Sequence, residues 1–118
     1  MAPPSALAIA SGAVVRLRKE EISYRTEQAG QEVQVKALED QMRSGGHGAD
    51  DDGNAEFMLK QQRTAIEQTK AIFAPLRKRI EEAIAKLEEQ IDVGEGGNDV
   101  SAGDLEHARA VLKEAKTG

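Results

Sequence analysis

Apolar residues recur along the middle of the chain at a fixed step. Between Asn54 and Ile91, Leu59, Ile66, Phe73, Ile80 and Leu87 stand seven residues apart, which keeps one apolar edge in line along a helix that packs against other helices. At about 1.5 Å per residue this helix runs roughly 55 Å, so the pattern predicts an elongated molecule. Met58, Ala65, Ile72, Leu76, Ala83, Ile84 and Ile91 flank the seam and widen the apolar stripe enough for two neighbours. Pro75 removes a backbone N–H and crowds the carbonyl of Ala71. Because the heptads stay in phase on both sides of it, a kink is predicted there, not a helix end.

An upstream segment carries a second seam of Val14, Leu17, Tyr24, Val35, Leu38 and Met42, with Val15, Ile22, Ala29 and Val33 beside it and Glu21, Gln28 and Gln31 interrupting it. Pro3 and Pro4 are poor helix-interior residues, so Ser5 or Ser11 is the candidate N-cap. Glu21 with Arg25, Glu32 with Lys36 and Glu39 with Arg43 are spaced for acid-first i,i+4 pairs on a solvated face. The glycine- and aspartate-rich run at 44–54 predicts a loop, with Asn54 as a cap for the central helix, and the similar run at 92–101 predicts a second. Ser101 followed by Asp104 resembles a capping box, and Leu105, Ala108, Val111, Leu112 and Ala115 form the inner stripe of a third helix. Short connections make successive helices antiparallel. The expected fold is all-α: one elongated antiparallel three-helix bundle over residues 1–118, with helices at roughly 11–43, 55–91 and 102–116 and the second kinked at Pro75.

Composition narrows what such a bundle does. The 118 residues are 39% hydrophobic and 31% charged, sufficient for one domain with a narrow core. Aromatics make up only 3%, which favours helix over a β-sandwich. The net charge of −5 argues against nucleic-acid binding, whose affinity rests on Lys and Arg at the phosphates. Cysteine is absent, so thiolate chemistry and Cys-based zinc sites are excluded. No run of about 20 apolar residues is present to span a membrane, and the cytoplasm is the default compartment.

Candidate chemistry is sparse. The two histidines, His47 and His107, fall in the first loop and on a polar helix face. An EF-hand reading that starts at Asp50 puts Asp52 and Asn54 in place, but Ala55 stands where glycine is needed and Gln61 where the bidentate Glu belongs. Gly94, Gly96 and Gly97 follow no strand, as a phosphate cradle would require, and read as a flexible turn. Glu81 with Glu82 and Glu88 with Glu89 are sequence neighbours whose side chains diverge by about 100° on a helix. No catalytic, cofactor or metal site is expected, which leaves binding through the polar helix surfaces.

Three stretches together resemble the tubulin-specific chaperone A family, also called tubulin-binding cofactor A. They are Ser11 to Glu20 (SGAVVRLRKE) with Ile22 and Tyr24, the central Pro75, Arg77, Lys78, Arg79, Ile80, Glu82 and Ala83, and the C-terminal DLEHARAVLKEAK with Ala108, Arg109, Val111 and Leu112. The two glycine-rich loops and the apolar run before Ser11 depart from the family pattern. The resemblance implies a cytoplasmic, microtubule-associated chaperone that needs no cofactor. It would capture β-tubulin folding intermediates after the chaperonin and pass them to other tubulin-folding cofactors for assembly of the αβ heterodimer. It also implies that tubulin is engaged through helical faces, and the mixed-charge face around the proline makes Arg77, Lys78, Arg79, Glu81 and Glu82 the expected partner-binding residues. The alternative is a structural coiled-coil adaptor that homo-oligomerises through the second helix; whether the chain is a monomer or a homodimer stays open at this stage.

Overall fold

The computed structural model of the protein describes residues 4–44, 53–97 and 100–117. Three helices make up nearly all of them: α1 (Ala6–Ser44), α2 (Asn54–Gly96) and α3 (Ala102–Thr117). The all-α class with three helices is therefore what the chain forms. No strand occurs among the described residues.

Each helix start has a local cause. Ser5 caps α1, its Oγ accepting the Ala8 N–H at 3.1 Å, and α1 begins at Ala6, ahead of the expected residue 11. Burial of Leu7 and Ala10 in the core rewards those extra residues. Ser11, the other cap candidate, instead lies inside the helix, where its buried hydroxyl donates to the Leu7 carbonyl. Gly53 precedes α2 with a φ of 78°, a conformation that suits glycine, and its carbonyl accepts the Phe57 N–H at 2.9 Å. Asn54, expected as the cap, is the first residue of α2, and its side-chain amide donates to Met58 Sδ. Ser101 caps α3 by accepting the Asp104 N–H at 3.1 Å, as its spacing predicts.

The largest departure lies at the end of α2, which passes through Pro75 and continues to Gly96 although the sequence pattern ends it at residue 91. Glycine costs a helix about 1 kcal/mol relative to alanine. Packing overrides that preference here, because Gly94 is buried and a Cβ at its position would come within 3.2 Å of Leu105 Cδ2. The absent side chain lets α3 approach.

The chain forms two compact units. Unit 1 contains residues Met1–Glu21 and Pro75–Gly118; unit 2 contains Ile22–Ala74. In unit 1 the first part of α1, the second part of α2 and all of α3 enclose a core of Leu7, Ala10, Val14, Leu87, Ile91, Ala108 and Val111, with Val15, Ala83, Ile84, Leu105 and Leu112 packed around it. Ion pairs Lys116–Glu88 and Arg109–Glu95 tie α3 to α2 in antiparallel order, and Arg18–Glu114 ties it to α1.

Unit 2 is a pair of helices, the rest of α1 against the start of α2. Glu39 meets Arg63 and Arg25 lies over the Phe73 ring, 5.4 Å from its centre, so the two segments run antiparallel. Leu38, Ala55, Leu59 and Ile66 are buried along its seam. Ile22 and Val33, expected beside the seam, point to solvent at 60% and 65% exposure. Glu39 turns across the pair to Arg63 and Arg43 joins Asp40, so the expected Glu39–Arg43 pair is replaced by these contacts.

Candidate partner-binding surface

The residues singled out around Pro75 lie on α2 within unit 1. Ile80 is buried at 1% exposure, and Arg77, Lys78, Arg79, Glu81 and Glu82 fan out around it, all exposed. A helix turn makes this inevitable: with one residue in the core, the two on either side sit on the flanks and outer face. Arg77 is steered to α1 by Glu21, whose carboxylate lies 3.7 Å from its Nη1 and is largely covered. Lys78, Arg79, Glu81 and Glu82 join no ion pair among the described residues. Their spacing accounts for it, since Lys78 precedes Glu82 in the base-first order that suits a helix less well. The structure thus brings Arg77 together with Glu21 and leaves the other four side chains directed at solvent.

Other candidates of the sequence fall away or lie elsewhere. His107 is exposed on α3, while His47 and Asp50–Asp52 lie outside the described residues. Gly94 and Gly96, read from the sequence as a turn, belong to α2. Among the described residues no three His, Asp or Glu side chains converge as metal ligands would. No described helix is long and apolar enough to cross a membrane.

Two features of unit 2 escape the sequence pattern. A groove of about 420 Å³, open to solvent, runs along α2 between Phe57, Lys60, Gln61, Thr64, Ala65 and Gln68. Its wall is Phe57, which is 58% exposed, beside Met58 at 45%. Met58 was expected in the core stripe; with only α1 beside α2 among the described residues here, it stays partly exposed, touched at its sulfur by the Asn54 amide. Within the seam, Thr69 is buried and the Gln31 Oε1 is a buried acceptor with no hydrogen-bond partner. Gln31 lies about midway between Arg25 and Glu39, as Thr69 does between Arg63 and Phe73, so the two polar residues share one level of the pair. The interruption of the heptads at Gln28 and Gln31 was the available signal for that polar level.

Grooves on helix surfaces and exposed charges are means of binding another macromolecule. Residues 2–112 match the family described as Tubulin binding cofactor A. The crystal structure of tubulin folding cofactor A from Arabidopsis thaliana is similar in fold, with a TM-score of 0.74 and 22% identity over 95% of this chain and 94% of that one. No curated protein sequence matches the chain significantly. With a family match across nearly its full length, the chain belongs to the tubulin binding cofactor A family.

Proposed function

We propose that the protein is a tubulin-folding chaperone that captures β-tubulin folding intermediates after the chaperonin and passes them, with other tubulin-folding cofactors, toward the αβ heterodimer. The observation that carries this reading is the family match over residues 2–112. The surface suits such a holding role. Exposed charges of both signs make contacts that form quickly, weaken with salt and release their client without a nucleotide. Arg77, Lys78, Arg79, Glu81 and Glu82 are the proposed client contacts, and all five are exposed on one turn and a half of α2. An adaptor that homo-oligomerises through α2 would need the apolar seam of that helix. Leu59, Ile66, Ile80 and Leu87 are instead buried within this chain.

Affinity capture from cell extract tests the reading: β-tubulin is retained at low salt and lost as salt rises. Retention of neither tubulin subunit would overturn it. Reversing Lys78 and Arg79 to glutamate, where no described ion pair is broken, is expected to weaken capture at least tenfold while leaving the helical content unchanged.

A further inference from the structure

The seam of unit 2 is interrupted part of the way along. The Glu39–Arg63 and Arg25–Phe73 contacts set α1 against α2 so that Gln31 faces Thr69 between them, with Gln28 half-buried one turn away. On the side toward the connection of the two helices, Leu38, Ala55, Leu59 and Ile66 are buried and Gln62 is half-buried among them. On the other side Tyr24 and Phe73 are half-buried, the Arg25 guanidinium lies over the Phe73 ring, and both helices run on into the stretches that belong to unit 1.

The two kinds of level respond oppositely when the helices part. Apolar burial is lost at Leu38, Leu59 and Ile66, which resists parting. At the polar level the balance is reversed: Gln31 Oε1 is a buried acceptor with no hydrogen-bond partner, so the closed pair is penalised there and parting relieves it. The ion pair that crosses the hairpin side, Arg63–Glu39, is exposed and adds little resistance. We infer that α1 and α2 part from the hairpin end as far as the Gln31–Thr69 level, a local opening that leaves the Phe73 side and unit 1 closed. The freed stretches, 32–44 of α1 and 54–68 of α2, are near the roughly 12–15 residues below which an isolated helix is barely stable in water, so their amides exchange once they part. Opening uncovers Leu59 and Ile66 beside Phe57 and Met58, which are exposed already, and turns a narrow seam into an apolar surface. The polar level thus limits how far the pair opens. This device does not depend on which client the protein binds.

The test is amide hydrogen exchange of the full chain, followed by NMR at rising but sub-denaturing urea. Amides at 34–42 and 56–66 are expected to exchange through one shared opening, with less than half the urea dependence of amides at 84–91, which wait for global unfolding. Residues 22–27 and 71–74 are expected to stay out of that opening. Three variants then locate its cause. Q31L, and Q31M, which keeps the length of the side chain, remove the buried acceptor and are expected to slow exchange at 34–42 and 56–66 at least fivefold. I80V weakens the core of unit 1 mildly; it is expected to speed exchange at 84–91 and to change the hairpin side less than twofold. Three results would each overturn the inference. In one, the hairpin-side amides share the urea dependence of 84–91 or respond equally to I80V, so that they open only with the whole protein. In another, residues 22–27 and 71–74 join the small opening, so that the polar level does not limit it. In the third, neither Gln31 variant slows the hairpin side.

Discussion

In unit 1 the buried residues reach full enclosure, Leu7, Val14, Ile80, Leu87 and Ala108 at no more than 1% exposure beside Ala10, Leu76, Ile91 and Val111 at 3–8%, whereas in unit 2 none of the apolar seam residues Leu38, Ala55, Leu59 and Ile66 falls below 3%. Both units draw on α1 and α2, and the heptad step is the same in each. The difference is α3, which closes one edge of the pair in unit 1. Two helices alone shield a line of side chains; three enclose a volume. A heptad seam therefore specifies which residues face inward, while the number of neighbours decides how dry they become.

The sharpest way to break this contrast is to hollow out each seam. Leu87→Ala is expected to destabilise the protein by about 3–5 kcal/mol and Leu59→Ala by about 2–3 kcal/mol, since a cavity costs most where surroundings cannot collapse. Equal losses in urea unfolding would mean the two units are packed alike. Gly94→Val places branched carbons where a single Cβ already comes within 3.2 Å of Leu105, and overpacking of this kind costs about 1–3 kcal/mol. Hydrogen exchange should report that loss in α3 and the adjoining turns of α2, with unit 2 unchanged. Gln31→Leu should act in the opposite direction. It replaces a buried acceptor that has no partner, and a gain of about 1 kcal/mol is expected in thermal melts, with slower amide exchange across unit 2. The smallest effect belongs to the surface: Arg63→Gln removes an exposed ion pair and is expected to cost about 0.2–1 kcal/mol, less in high salt.

Much of this architecture is legible before any coordinates. Leu59, Ile66, Ile80 and Leu87 are buried as the seven-residue step requires, and Ser101 caps α3 where its spacing puts it. Local signals misled at Gly94, because a residue that weakens an isolated helix is the one that admits Leu105. They also misled at Ile22 and Val33, whose apolar character promised burial although both side chains stay more than half exposed. The site was legible only in part. Arg77, Lys78, Arg79, Glu81 and Glu82 are exposed as residues around a buried Ile80 must be. Exposure does not distinguish a contact from a solvated face, whereas the pairing of Gln31 with Thr69 emerges only once Arg63 and Glu39 show which sides of the helices meet.

Unit 1 is assembled from two separated stretches of chain, with the whole of unit 2 strung between them. Its core joins Leu7 and Val14 to Val111, so it cannot close until the C-terminal helix has left the ribosome. Unit 2 is a continuous hairpin and has both of its helices in hand well before that moment. Loop closure over some 50 residues costs about 3–4 kcal/mol if the intervening chain is slack, and far less once that chain is already folded into a pair whose ends lie side by side. The loosely packed unit is thus the one that forms from local contacts, and its early presence shortens the search by which the tightly packed unit finds its distant halves.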